Sequence, residues 1–446
     1  MKQQFKENTC RLMEIDGKAF DTLYAEESFR GIRINPLKTD FKAVQSGFSE
    51  VLKPTDFYEY EYYIPSSLAG VGNMPLHHAG GFYVQEPSAS SVLSVVNARP
   101  GEKILDLCAA PGGKSTGIGA GIRGSGILWS NEYVRKRANI LLSNIERMGI
   151  INSVVSSFDA EYLCSSLAGL FDCVLVDAPC SGEGMWRHNP LVENEWSEQN
   201  VSDCASRQKE ILNSAAKAVC SGGRLVYSTC TFNTLENEEN VDWFLKEHPE
   251  FSLCKIDCDF GRGGLLGNEN IDTKVKRIFP TDGGEGHFIA LFEKSNNGDS
   301  FYGETLKESI SKGDKAIVTS FLEENFEHIP DGLLIEKNGL VYLAPEGVPL
   351  LKGDVLRYGL FVGELRKGRL EPAHALFTSS GVKAKNELDL SLNDSRITDF
   401  LKGMEIPSSG GENGYVRILV EGCPLGFGKR SAGRITNRYP KGLRLV

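Results

Sequence analysis

Between Lys103 and about Val241 the chain alternates short apolar runs with longer stretches whose apolar residues recur at helical spacing. The runs ILDLC (104–108), ILWSNE (127–132), SVVSS (153–157), CVLVD (173–177) and GGRLVYS (222–228) predict five strands. Each is apolar on both alternating sets of positions, as in strands covered on both faces. Between them, PGGKST opens a helix after the first strand, and Leu141, Leu142 and Ile145 share a helical face after the second. A longer helix is expected over about 201–219, and Asn233 caps another, with Glu236 three residues on completing a capping box. KRIFP and HFIALFEK then read as a closing antiparallel pair around a Gly-rich turn that holds His287. The rhythm predicts an α/β fold with a Rossmann-like, doubly wound parallel sheet.

The flanks read differently. Residues 1–95 mix short apolar runs with turn signals: RGIRINPLK is a strand and turn, and Gly70 to Gly81, with His77 and His78, is a loop. SNNGDS (295–300) is small and polar and is expected to be a linker. Beyond it come short strands, glycines and few helical runs. The expected units are therefore 1–95, a core over 96–295, an α/β connecting segment over 300–375 and a β-rich domain over 376–446. A chain of 446 residues has room for about three domains at roughly 150 residues each.

Composition narrows the class. Apolar residues at 41% and charged residues at 24% exclude collagen, coiled coil and wholesale disorder. No apolar run is long enough to span a membrane, and the start MKQQFKENTCRLMEIDG lacks a secretory core, so a cytoplasmic protein is expected. The eleven cysteines are odd in number and contain no Cys-x-x-Cys pair, which points to free thiols rather than disulfides or a metal site. The net charge of −10 argues against a protein coated in nucleic acid. It leaves room for one basic face. Arg417, Lys429, Arg430, Arg434, Arg438, Lys441 and Arg444 crowd the carboxy-terminal stretch, interleaved with Phe427 and Tyr439 and opposed by Glu421 alone. That pattern suits a phosphate backbone; a solvated basic tail is the other reading.

The glycine loop CAAPGGKST lies between strand and helix, on the edge where doubly wound sheets bind ligands. Gly113, Lys114 and Ser115 match the end of a P-loop, but its first glycine would fall at Cys108. Glu132, 24 residues beyond Cys108, ends the second strand, where an acid grips ribose hydroxyls. Asp159, just past the third strand, can take an adenine amino group, and Asp177 ends the fourth. Any one of them reads as a helix cap. Three acids at neighbouring strand ends describe a nucleoside pocket, whereas a triphosphate cradle needs cations. A magnesium-dependent nucleotide hydrolase using Lys114 and Asp177 is the rival.

Two thiols follow two strand ends, Cys180 in Asp-Ala-Pro-Cys and Cys230 in Ser-Thr-Cys. Neighbouring parallel strands lie about 5 Å apart, so both emerge within reach of one substrate. Cys164, Cys173, Cys204, Cys220, Cys254 and Cys258 read as small buried hydrophobes. Carbon 5 of cytosine is a poor nucleophile until a thiolate adds to carbon 6. A proton or hydrogen bond at the ring nitrogen helps that addition, and Asp177 is placed to supply it. A second thiol assists release. Trp186 and Arg187 read as residues that can stack on a base, with core packing the equal alternative for Trp186.

DLCAAPGGKS, DAPCSGEGMWR and YSTCTFNTLENE together resemble the Nop/Sun family of RNA cytosine-5 methyltransferases. RINPLK, GGFYVQEPSAS, RIFPTDGGEGHFIALF and PLGFGK…NRYPKGLR extend the resemblance, toward its bacterial small-subunit ribosomal RNA branch, over nearly the whole chain; it is weakest around 300–410. The resemblance implies an S-adenosyl-L-methionine-dependent methyltransferase sheet, flanked by an N-terminal RNA-binding module and a C-terminal PUA-like domain. It implies a cofactor site of Cys108, Ala109, Ala110, Pro111, Gly112, Gly113, Lys114, Glu132, Asp159 and Asp177. It makes Cys230 the nucleophile and Cys180 the release residue, a choice strand geometry left open. The implied partner is RNA, small-subunit ribosomal RNA first and transfer RNA as the alternative. A monomer is expected, as is activity rather than a silent binding module.

Overall fold

A computed structural model describes residues 2–445 apart from 189–191, 193–195, 297–300 and 302, so most of the expected linker lies outside the described residues. The central sheet contains β1 (Lys103–Asp106), β2 (Ile127–Asn131), β3 (Ser153–Ser156), β4 (Phe171–Asp177), β5 (Val219–Thr229), β6 (Phe251–Cys254), β7 (Lys276–Ile278) and β8 (His287–Lys294). Its order is β6-β8-β5-β4-β1-β2-β3, with β7 on β8. The five central strands are parallel, whereas β6, β7 and β8 are antiparallel additions. The helices are α1 (Gly113–Gly121), α2 (Arg135–Met148), α3 (Ala160–Ser166), α4 (Glu198–Ala218) and α5 (Glu238–Glu247).

Both faces of this sheet are apolar for one reason: side chains alternate along a strand. Leu105, Trp129, Val154, Val174, Val176, Leu225 and Tyr227 join one core with Leu212 and Ala215 of α4. Their neighbours Ile104, Leu128, Val155, Cys173, Leu175 and Val226 join another with Ile118 of α1 and Leu141 and Ile145 of α2. A strand with one polar face would leave one helical layer without a partner.

Two elements depart from the sequence expectations. β9 (Val355–Tyr358), from the connecting segment, pairs antiparallel with β3 and covers that edge, so the catalytic sheet draws a strand from beyond residue 300. The tract Gly70 to Gly81 contains the 3-10 turn Val71–Asn73 and the short helix Pro75–His78 rather than an open loop. The helix at Pro75 begins with proline at its first position, where a missing N–H costs nothing. No helix among the described residues is long and apolar enough to cross a membrane.

The N-terminal module lays a four-stranded sheet (order Lys53–Pro54, Glu61–Ile64, Arg30–Ile34, Phe82–Gln85) against the core. Its RINPLK segment does the docking. The buried Arg33 donates to the Gly113 carbonyl and, at 2.7 Å, to Thr116 Oγ1, both in α1. Asn35 Nδ2 donates to the carbonyls of Gly80 and Met148, and Lys38 Nζ to those of Ala79 and Arg147. Burial lowers the Lys38 ammonium to about 7.

Beyond residue 300 a four-stranded sheet runs from Leu333 to Pro372 and a five-stranded one from Glu387 to Asn437. In the latter, Arg417 and Arg430 point inward. Arg417 donates to the Phe377, Ser379 and Val382 carbonyls, and Arg430 to Ser408 and Asn386. Phe427 stacks on Phe377, and Tyr439 is buried with its hydroxyl 3.0 Å from His78 Nδ1. Of the basic stretch, Lys429, Arg434, Arg438 and Lys441 are exposed and Arg444 half-buried. The two aromatic residues are core, and no stacking platform is offered by them.

Candidate active site

The chain turns sharply after β1. Gly112 has φ +113°, a conformation that L side chains avoid, and a Cβ there would lie 3.2 Å from Leu141. The turn is tied down from α2 by Arg137, which donates to the Ala110 carbonyl (3.0 Å), and Asn144, which donates to that of Pro111 (2.9 Å). Ala109 N–H donates to the Asn131 carbonyl at the end of β2. The loop therefore lies against the second strand, facing a cleft of about 730 Å³.

Cys108, Ala110, Glu132, Asp159, Asp177, Cys180 and Cys230 all line this cleft. Glu132 is 4% exposed; one oxygen accepts from Val134 N–H and the other lies 3.4 Å from Arg137. Asp159 does two things. It caps α3 through Glu161 N–H and Tyr162 N–H, and it also forms part of the cleft wall. Burial pushes the Cys108 thiol well up.

Asp177 closes β4. Pro179 then ends the ladder, since it has no N–H to donate. Asp177 Oδ2 accepts from Lys114 Nζ at 2.7 Å and Oδ1 from Ser228 Oγ at 2.7 Å. Burial pushes the carboxyl up, but Lys114 and then His287 outweigh it and hold it well below the usual carboxylate range. The sequence expectation for Asp177 is a proton or hydrogen bond to the ring nitrogen; here its carboxylate is held by the Lys114 ammonium. An ionised carboxylate paired with an ammonium accepts hydrogen bonds, and the nearest proton source is Lys114. That pairing also uses the cation a P-loop would aim at phosphates.

Cys180 and Cys230 lie with their sulfurs 3.2 Å apart. The Cys180 thiol is pushed well up, first by its hydrogen bond to Cys230 and then by burial. Burial alone would lower the Lys114 ammonium, but the Asp177 carboxylate beside it raises it. Of the thiols expected to be buried, Cys164, Cys173 and Cys204 are, whereas Cys220, Cys254 and Cys258 are only half-buried. Burial raises the thiols of all six.

One neighbour of Asp177 was given no role by the sequence, and three expectations change. His287 Nε2, at the start of β8, lies 3.7 Å from Asp177 Oδ1, and neither ring nitrogen has a hydrogen-bond partner among the described residues. The signal is strand order: β8 lies beside β5, which in turn neighbours β4. Trp186 stacks on Phe5 of the N-terminal module at 3.7 Å between ring centroids. Arg187 is buried against Phe29 and Glu285 and donates to the Glu27 carbonyl. Neither is free to stack on a base. Asn233 Oδ1 accepts from Glu236 N–H as expected, but it closes a turn, and the helix it was expected to start begins two residues after Glu236, at Glu238.

The donor set fits a sulfonium nucleoside. Three carboxylates at consecutive strand ends suit hydroxyls, an amino group and a positive sulfur, and the cleft volume is that of a ligand pocket. A doubly wound sheet with such a cleft defines the S-adenosylmethionine-dependent methyltransferases. Residues 93–293 match the family described as 16S rRNA methyltransferase RsmB/F. Residues 1–87 match the N-terminal domain of 16S rRNA methyltransferase RsmF, 320–379 its first C-terminal domain and 387–445 its PUA domain. Ribosomal RNA small subunit methyltransferase F of Shewanella sediminis is 30% identical over 94% of this chain and 91% of its own length. That of Cronobacter sakazakii is 29% identical over 93% and 90%. The chain belongs to the ribosomal RNA small subunit methyltransferase F family. A methyltransferase homolog from Pyrococcus horikoshii shares the fold, with a TM-score of 0.55 at 22% identity over 66% of this chain and all of that one. NSun6 from the same organism does so at 0.58 and 20%, over 66% and 98%.

Proposed function

We propose that this protein methylates carbon 5 of a cytosine in small-subunit ribosomal RNA, through a transient bond between Cys230 and the pyrimidine ring. The observation that carries this is the thiol pair 3.2 Å apart on the wall of the same cleft as the three acids. Methylation of an exocyclic amine has no use for either sulfur. The names of the full-length relatives support ribosomal RNA as the substrate class.

Glu132, Asp159 and the Cys108–Lys114 loop would hold S-adenosylmethionine, which when bound supplies an electrophilic methyl group for carbon 5. The Cys230 thiolate adds to carbon 6, and electron density moves toward carbon 5 and the ring nitrogen. Lys114, held in place by Asp177, supplies a hydrogen bond or proton as charge develops there; Asp177 accepts from the exocyclic amine. When carbon 5 gives up its proton to a base, that bond's electrons restore the ring double bond. The carbon–sulfur pair returns to Cys230, where the Cys180 S–H meets it.

The test is labelled methyl transfer to ribosomal and transfer RNA, with bisulfite sequencing of the products. Small-subunit RNA is expected to carry new 5-methylcytosine. Transfer to transfer RNA alone would replace the substrate, and a labelled amine in place of carbon 5 would overturn the mechanism. Cys180→Ala should leave an RNA adduct stable to denaturing electrophoresis, through loss of the acid that assists release.

A further inference from the structure

Cys180 and Cys230 both lie beyond the sheet. The last paired positions of β4 and β5 are Asp177 opposite Ser228, and Pro179 then stops the ladder. Backbone pairing therefore does not set the distance between the sulfurs. Two carboxylates bridge the loops instead, each reaching from one loop to the other.

Glu183 follows Cys180, and its Oε2 accepts four bonds from the residues after Cys230. The donors are Thr231 Oγ1 (2.8 Å), Phe232 N–H (2.9 Å), Asn233 N–H (2.8 Å) and Asn233 Nδ2 (3.2 Å). Its other oxygen accepts from Trp196 Nε1 at 2.9 Å. Glu236 follows Cys230 and reaches back: Oε2 accepts from Ser181 N–H (3.0 Å) and from Gln208 Nε2 (2.7 Å), which also donates to the Pro179 carbonyl. Ser181 and Thr231 hydroxyls pair at 2.7 Å, and Gly184 N–H donates to the Cys230 carbonyl at 2.9 Å. A Cβ on Gly184 would lie 3.0 Å from that carbonyl oxygen, so only glycine approaches without pushing it away.

Both carboxylates are buried, and neither forms an ion pair among the described residues. Burying a carboxylate is costly unless hydrogen bonds replace the lost water, and here they come from the opposite loop. Burial raises the Glu236 carboxyl, and Glu236 in turn raises the Cys180 thiol, so its place here does not favour ionising the pair. Bulk stability does not explain two such groups. What they achieve is geometric: each fixes the backbone on the far side of the other loop's cysteine.

We infer that Glu183 and Glu236 are positioning residues that hold the second thiol at hydrogen-bond distance from the nucleophile. Neither touches the reacting atoms. The inference rests on the two-thiol reading above, so its test includes a measurement that needs no RNA. An azodicarboxamide oxidant takes two electrons and two protons from a close thiol pair, leaving a disulfide and a hydrazine; the rate reports the Cys180–Cys230 spacing.

In the full-length protein, Glu183→Gln keeps the side chain's size but replaces one acceptor oxygen with a donor. Disulfide formation is expected to slow about tenfold. A misplacement of the thiols by about 1 Å is expected to lower kcat by about a hundredfold, with KM for RNA unchanged. Affinity for S-adenosylhomocysteine should be that of the wild type, which reports an intact cleft. If the variant does not fold, Trp196→Phe, which removes one donor to Glu183, and Ser181→Ala, which removes the hydroxyl pair between the two loops, are expected to slow the oxidation in the same direction. Wild-type oxidation rates in the folded variants would overturn the inference, as would an effect confined to KM. A slowed oxidation in a protein that methylates no RNA would uphold the clamp and overturn the function proposed above.

Discussion

The cleft and the carboxy-terminal domain both concentrate charge, and they use it in opposite ways. In the cleft, Asp177 and Lys114 neutralise one another beside a sulfur pair, and the value of each group lies in its position to within an ångström. In the terminal domain the cations divide. Arg417 and Arg430 are 4% exposed and hold backbone carbonyls and polar side chains, whereas Lys429, Arg434, Arg438 and Lys441 face water. Charge near reacting atoms works through geometry, inward charge through hydrogen bonds, and outward charge through the long-range field. Substitutions should therefore register in three different measurements.

The largest effect is expected at Cys230. Cys230→Ala removes the atom that bonds the ring, and loss of a covalent nucleophile lowers kcat by at least about a thousandfold. RNA affinity and thermal stability should stay within experimental scatter of the wild type, because a half-buried sulfur contributes little packing. Single-turnover methyl transfer and a binding titration on the same preparation separate the two. Substantial turnover would move the nucleophile to Cys180.

Arg417→Ala tests the inward cations. It strands the Phe377, Ser379 and Val382 carbonyls, all of which accept from the guanidinium. Each stranded buried group costs about 1–3 kcal/mol, and a total near 3 kcal/mol is expected after relaxation. Denaturant unfolding monitored in the terminal domain measures it. Cys230 adduct formation should persist where the variant is folded. Stability within about 0.5 kcal/mol of the wild type would return Arg417 to the RNA-facing set.

How much of this was legible in the sequence follows the range of the interactions. The alternation of Ile104 and Leu105, or of Leu128 and Trp129, is local, and it identifies the sheet and its two covered faces. The acids at strand ends and the two thiols follow from the same register. His287 was not legible, because its proximity to Asp177 depends on β8 entering the sheet next to β5. Glu183 and Glu236 lie within the motifs that carry the resemblance, yet no spacing rule says which backbone a loop carboxylate will grip. Asn233 shows the reverse error: a capping pattern satisfied locally, with its Glu taken by Ser181 of another loop. In the basic stretch, counting cations gave the sign of the charge and not its direction. Arg417 and Arg430 sit on strands of the five-stranded sheet, where alternation turns some residues inward.

The smallest effect is expected at the outward cations. Arg434, Arg438 and Lys441 lie on the exposed side of the terminal domain, where water and salt screen single charges. Each that contacts a phosphate releases about one counterion on binding. Arg434→Ala and Arg438→Ala should then each reduce the slope of log affinity against log salt by about 0.7–0.9. Affinity should fall only a few-fold at moderate salt, and turnover at saturating RNA should stay unchanged, since neither side chain approaches the cleft. The double variant decides whether the two act on the same backbone. Additive losses in slope place both against RNA, whereas an unchanged slope assigns them to solvent and leaves recognition to the other basic residues of this face.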